Sequence, residues 1–302
     1  MQDLVTIACN RERDLMLLHA ESIQKFLDPC THWIVINEKE PDVNAWLEIL
    51  KPYYTKHKLN VIPRSYFSQE KEFSNMHGQI SQQACKFLVS KFIQKNYLIL
   101  DTKNFFIRKC NLFEYHKIIG SGIIEFVSRP PDDWDKFQPW FKGDHEMWSE
   151  TVKEYARVFN LSTVPNYYLA PKTPFVMDYD LLCKRINLET FLRDFSYKPN
   201  GDQIYSPSEF IFYSMAVNDF IKPGVNTISR SEEMDSYTLM PHNFEYHSKE
   251  LLSEEHFTML NTIGENIKIY GIHRKFLRKC GPEHIKILNK WLASMDFAFR
   301  YR

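Results

Sequence analysis

The sequence predicts an α/β fold, a mixed, mostly parallel sheet flanked by helices, with a Rossmann-like first half. Three observations carry this. Short, predominantly apolar runs at Leu4–Ala8, Trp33–Ile36 and Tyr97–Leu100 read as strands buried on both faces. Stretches of helical period separate them, the alternation expected of parallel strands joined by crossover helices. At 302 residues the chain is long enough to bury a substantial core.

Taken in order, Leu4–Ala8 is the first strand, and Leu15, Leu18, Ile23 and Phe26 then share a helical face that Asp28-Pro29 ends. Trp33–Ile36 is the second strand. Trp46, Leu47 and Leu50 predict a helix before Pro52, and Leu59–Ile62 a third strand stopped by Pro63. Ile80, Ala84, Phe87, Leu88 and Phe92 mark the helix that delivers the fourth strand, Tyr97–Leu100. Beyond it the pattern is less regular. A strand is expected at Ile123–Val127, an ordered loop at 128–147, a helix at Trp148–Phe159 and extended chain at Tyr167–Met177. An apolar helix opens at Ser206-Pro207-Ser208-Glu209, followed by a late strand at Ile267–Ile272 and a closing amphipathic helix at Pro282–Phe297.

Lysine plus arginine equals aspartate plus glutamate at 38 each, which argues against a generic nucleic-acid binder. The aromatic content of 15% suits a large core, and flat rings also suit sugar faces. Six scattered cysteines form no CxxC pair and read as reduced thiols of a cytoplasmic protein. The first residues lack the pattern of a signal peptide, and no run reaches the ~18 apolar residues of a membrane span, so membrane contact is expected to be peripheral at most.

Parallel α/β sheets bind ligands beyond the carboxyl ends of their strands. That directs attention to Cys9–Asp14, Asn37–Glu40 and Asp101-Thr102-Lys103-Asn104. Neither GxGxxG nor GxxxxGK[ST] is present, which removes the main support for a dehydrogenase or a P-loop enzyme.

Gly78-Gln79-Ile80-Ser81-Gln82-Gln83-Ala84-Cys85-Lys86, followed by Tyr97–Phe106, resembles a family of bacterial and viral polysaccharide glycosyltransferases in which a QQxxK helix leads into a strand ending in Asp-x-Asp. Four further islands keep the family's order: Ala8–Phe26, Thr173–Leu182, Ser208–Tyr213 and Gly271-Ile272-His273-Arg274. The resemblance implies one GT-A domain over 1–302, with residues 1–127 handling the nucleotide sugar and 128–302 the acceptor. It implies a UDP- or GDP-sugar donor and a glycan or other acceptor. Arg11 and Asp14 would frame the nucleoside, Lys86, Asp101 and Lys103 the diphosphate, and His273 with Arg274 the leaving group.

One position departs from the family pattern. Lys103 stands where the second aspartate of Asp-x-Asp is expected, and an ammonium cannot ligate the Mn2+ or Mg2+ ion that offsets diphosphate charge in metal-dependent relatives. Three arrangements follow. Lys103 replaces the metal; Asp101 and His273 bind a metal while Lys103 points away; or the site has decayed to a catalytically inactive nucleotide- or sugar-binding module. For the acceptor's general base, Glu209 is preferred over Asp178, although a capping box from Ser206 to Glu209 accounts for Glu209 equally well. Asp14 reads as readily as a helix N-cap, and Lys86 as a solvated lysine.

Overall fold

Six consecutive buried residues, Asp3–Ala8, form the first strand, as a run covered on both faces should. In the computed structural model, which describes residues 3–67, 73, 76, 78–112, 120, 123–125, 150–165, 167–169, 173–196, 208–221, 236–239, 252–263 and 268–301, the named elements follow in chain order. They are β1 (Asp3–Ala8), α1 (Arg13–Phe26), β2 (Thr31–Ile36), α2 (Val43–Leu50), β3 (Lys58–Pro63), α3 (Gly78–Leu88), β4 (Tyr97–Ile99), β5 (Asn104–Phe106), β6 (Ile123–Glu125), β7 (Tyr167–Leu169), β8 (Phe175–Met177), α4 (Tyr179–Arg185), α5 (Glu209–Ala216), β9 (Ser236–Leu239), α6 (Glu254–Ile263), β10 (Ile269–Ile272), α7 (Arg274–Leu277) and α8 (Pro282–Ser294). The chain divides into two units that interleave along the sequence. The first comprises Met1–Arg64, Leu100–Glu114 and Glu233–Arg302; the second comprises Ser65–Ile99 and Tyr115–Glu232.

In the first unit β1 pairs parallel with β2, and β2 parallel with β3. Pro63 closes β3 as its last paired residue instead of standing outside it, because the ladder position opposite Ile36 is one where the missing N–H can be tolerated. Leu100, just past β4, gives its N–H to Val5 of β1 at 3.0 Å, which brings the following turn to the end of the first strand. A second sheet has β10 at its centre, antiparallel to β5 and parallel to β9. Leu15 and Leu18 of α1 pack with Phe105, Tyr270, Ile272, Phe276, Trp291 and Leu292 in the core of this unit.

Helix α1 also serves β5 as a substitute strand. Ser22 Oγ accepts the Phe106 N–H at 3.0 Å, and His19 Nδ1 meets the Asn104 carbonyl. These backbone groups lie on the side of β5 that β10 does not use; on the β10 side, Lys103 O accepts from Ile272 N–H and Ile107 N–H donates to Lys268 O. An open strand edge is thereby satisfied by side chains.

In the second unit β4 pairs antiparallel with β8, and β6 antiparallel with β7. Its core is aromatic: Phe87 lies 4.8 Å from Phe191 and 5.9 Å from Phe212, and Phe175 stacks on Phe210 at 4.2 Å. The abundance of rings is thus largely spent on packing. The long helix expected around Ile80–Phe92 ends at Leu88, and a short turn of helix at Ser90–Ile93 follows. The 128–147 loop, Ser206 and Pro207 lie outside the described residues.

Candidate functional site

In the first unit three segments meet around the Asp101–Asn104 turn. The turn closes on itself: Asn104 N–H donates to Asp101 O at 2.9 Å, and Asp101 N–H donates to Asn104 Oδ1 at 3.2 Å. Buried Thr102 donates its hydroxyl to Glu12 Oε2 at 2.6 Å, tying the turn to the short 3-10 helix Asn10–Glu12 after β1. Asn10 N–H in turn donates to Glu38 Oε1 at 2.7 Å, so the segments after β1 and β2 are joined as well. On the other side, Ile272 N–H donates to Lys103 O at 3.0 Å. This bond sets the backbone of Ile272, the residue before His273, against that of Lys103.

Asp101 and Lys103 are therefore brought together, and His273 follows the β10 residue that is bonded to the Lys103 backbone. Lys103 does not point away: its ammonium lies 2.8 Å from Asp101 Oδ2, with both side chains still partly open to solvent. His273 is the N-cap of α7, its Nδ1 accepting the Lys275 N–H at 3.1 Å. A ring that accepts at Nδ1 carries its proton on Nε2, where it is a donor and has no lone pair for a cation. Among the described residues no three His, Cys, Asp or Glu side chains gather to hold a metal. Arg274 opens α7 after His273, half-buried. Arg11 is exposed on the 3-10 turn, and Asp14 is exposed in the first turn of α1. Asp14 is not the N-cap, a position that Glu12 holds, because the 3-10 turn runs directly into the helix.

The second unit joins two residues expected to have separate tasks. Lys86 Nζ lies 2.7 Å from Glu209 Oε1, and both side chains are only 5% exposed. The ammonium also sits 4.8 Å above the Phe210 ring, and Tyr97 OH donates to the Lys86 carbonyl at 2.8 Å. Lys86 thus lies on no solvated face. The capping box from Ser206 to Glu209 is corrected too. Ser208 is the N-cap, its hydroxyl accepting from Ile211 N–H at 3.4 Å, so Glu209 is the first helical residue and its carboxylate turns to Lys86 instead of back to the cap.

Asp178 caps α4: Oδ1 accepts the Leu181 N–H at 3.0 Å, and Oδ2 accepts from Asn96 Nδ2 at 3.2 Å. Its own N–H donates to the Tyr213 hydroxyl at 3.1 Å. Burial pushes that phenol well above its ordinary range, so it stays protonated. Asp178→Ala is expected to cost about 1 kcal/mol in unfolding free energy, and Asp178→Asn less in chemical denaturation, since it keeps the acceptor at the cap but loses the one that faces Asn96 Nδ2.

A Cys–His contact in the first unit imitates a catalytic dyad. Cys30 Sγ lies 3.3 Å from His57 Nδ1, but the same nitrogen accepts the Cys30 N–H at 3.2 Å. Burial pushes the Cys30 thiol up to about 12 and, acting first, brings His57 down to about 4, the opposite of a thiolate–imidazolium pair.

Glu12, Thr102, Asn104 and His19 build the turn; the first three lie in segments that the strand ends single out, without their roles, and His19 lies in none of them. The signal for His19 is its place as a histidine inside the apolar stripe of α1 between Leu15 and Ile23.

No family model matches the sequence, and no curated protein matches it. Among solved structures the chain is similar to the WbbM bifunctional glycosyltransferase in its apo form, at 9% identity and a TM-score of 0.50, covering 95% of this chain and 51% of that one. It is also similar to mouse xyloside xylosyltransferase 1, apo form, at 10% identity and a TM-score of 0.46, covering 89% of this chain and 96% of that one. An active-site mutant of LgtC gives 10% identity and a TM-score of 0.46, with 97% and 96% covered. At such identities the likeness is one of fold, and that fold is the GT-A glycosyltransferase architecture: a mixed, mostly parallel sheet flanked by helices.

Proposed function

We propose that the chain is a glycosyltransferase that moves a sugar from a UDP- or GDP-sugar to a glycan or other acceptor, with Lys103 taking the electrostatic role of a metal. The observation that carries this reading is the Asp101–Lys103 ion pair on a turn held at the ends of β1 and β10. Transfer breaks the bond from the anomeric carbon to the diphosphate oxygen and forms one to the acceptor oxygen, whose proton goes to a base. The diphosphate leaves with the electron pair and needs positive charge or N–H donors there. Lys103, Arg274 and the Nε2–H of His273 are of the right kind, and Arg11 and Asp14 are assigned to the nucleoside. Glu209 is the proposed base and Asp178 its alternative. Lys86 is given to the diphosphate by the family pattern; its bond to Glu209 supports a second role, orienting that carboxylate. The proposed setting is the cytoplasm, with any membrane contact peripheral; among the described residues no helix is long and apolar enough to cross a membrane.

The second reading is a catalytically inactive nucleotide- or sugar-binding module. It is favoured by the fact that Glu209 and Asp178 already have partners in Lys86, Asn96 and the Leu181 N–H.

Titration calorimetry with UDP and with GDP, each in Mn2+ and in EDTA, tests the proposal. Binding is expected to survive EDTA and to weaken at least tenfold in Lys103→Ala, a loss of about 1.4 kcal/mol or more. Binding that vanishes in EDTA sinks the role given to Lys103. Nucleotide binding with neither sugar transfer nor donor hydrolysis selects the module, and no binding of either nucleotide removes both readings.

A further inference from the structure

Beneath the Asp101–Asn104 turn runs a chain of buried polar side chains, all in the first unit. Tyr54 OH lies 2.6 Å from His32 Nδ1, His32 Nε2 lies 3.0 Å from Thr6 Oγ1, and Thr6 Oγ1 lies 3.0 Å from His19 Nε2. His19 Nδ1 ends the chain on the Asn104 carbonyl. Tyr54, His32, Thr6 and His19 are all buried.

The direction of every bond follows from its last member. A carbonyl only accepts, so His19 Nδ1 carries a proton and, in a neutral ring, Nε2 is bare. Thr6 must then donate to His19, and its oxygen accepts from His32 Nε2–H. That leaves His32 Nδ1 bare, to accept the Tyr54 hydroxyl proton. Each group donates once along the path, and the chain runs one way, from Tyr54 to Asn104. An α1 side chain of any hydrophobic type would fill the same space but leave the Asn104 carbonyl without this donor.

We propose that His19 is a positioning residue of the donor centre, its Nδ1–H fixing the Asn104 carbonyl and with it the Asp101–Lys103 turn. The inference rests on the proposed nucleotide site. Asn104 is the hinge of the argument: its carbonyl goes to His19, while its N–H and its side-chain oxygen hold the carbonyl and the N–H of Asp101. The residue before it sends its carbonyl to Ile272, ahead of His273. Loss of the His19 bond would therefore loosen the turn that carries both Asp101 and Lys103.

The test compares two amides. Asparagine at position 19 keeps an N–H donor near the place of Nδ1; glutamine carries its amide farther out, near the place of Nε2. With UDP and GDP as probes and affinities normalised to folded protein, His19→Gln is expected to weaken binding about tenfold, the worth of one lost buried bond, and His19→Asn to stay within about threefold of the parent. Equal binding by His19→Gln and the parent overturns the proposal, as does equal weakening by both amides. If the parent binds neither nucleotide, the donor reading itself has failed. If His19→Gln does not fold, Thr6→Val and Thr6→Ser make the comparison one link back: Val is expected to weaken binding several-fold and Ser to leave it unchanged, with no difference between them overturning the proposal. Imidazole nitrogen NMR of the parent supplies a readout independent of ligand. A proton on His19 Nδ1 is expected, and a proton on Nε2 alone overturns the relay.

Discussion

Lys86→Met is expected to lower the unfolding free energy by about 3–5 kcal/mol, the cost of leaving a buried carboxylate without its partner. Glu209 Oε1 stands 2.7 Å from the ammonium it would lose, in a setting where both side chains are 5% exposed. Phe210, Tyr97 and the aromatic core around Phe87 leave water little room to replace the lysine. The matching double variant, Lys86→Met with Glu209→Met, should recover much of that loss, since two apolar side chains remove both desolvation costs together. Urea unfolding of the parent, the two single variants and the double variant closes a thermodynamic cycle. A cycle in which the single losses simply add would show that the two charges do not depend on each other. The same variants separate stability from chemistry: at temperatures where Lys86→Met is still folded, loss of transfer with retained nucleotide binding would place the pair on the acceptor side of the reaction.

Acid should unfold the protein through its buried histidines before its carboxylates are titrated. Burial brings His19 down to about 4 from the ordinary 6.5. His32 is also lowered well below its ordinary value, by burial first and then by neighbouring His19 and His57. In the unfolded chain both protonate near pH 6.5; in the folded chain both stay neutral. Their contribution to stability is therefore complete above about pH 6.5 and is lost as the pH falls toward 4. For His19 the loss is about 1.4 kcal/mol per pH unit, roughly 3 kcal/mol across the window, with His32 adding to it. The measurement is unfolding free energy against pH, whose slope counts the protons taken up. His19→Asn, which cannot titrate, should reduce that slope by about one proton between pH 6 and 5. An unchanged slope would mean that His19 is protonated in the folded state, which the one-way chain from Tyr54 forbids.

How far the sequence reveals this molecule depends on whether the determining contact is local. The strands at Leu4–Ala8, Trp33–Ile36 and Tyr97–Leu100 were legible because burial on both faces leaves a continuous apolar run, and the structure places β1, β2 and β4 there within a residue or two at most. Asp101 was legible because it follows such a strand. The capping box at Ser206 was misleading because Ser208 offers an equally good hydroxyl two residues on; what decides between them is Lys86, 123 residues away in the sequence. His19 illustrates the same limit. Its place in an apolar helical stripe shows that it is buried, but its role comes from Asn104, 85 residues on, and from Thr6 on a neighbouring strand. Periodicity reports which face is buried, and it cannot report which polar group waits there.

The interleaving of the two units sets an order of birth. The second unit has all its residues once Glu232 has been made, whereas the first, which begins the chain, still lacks β10, α7 and α8. Phe105, Leu15 and Leu18 find most of their core neighbours, from Leu252 to Phe297, in that last stretch. At roughly 5–20 residues per second the ribosome needs several seconds more to supply it. During that interval the apolar face of α1 and the β10-facing edge of β5 are committed to partners that do not yet all exist. The nascent chain is then most exposed to chaperones and to self-association, and a ribosome stalled where Glu232 has just cleared its exit tunnel should display the second unit finished and the first still waiting.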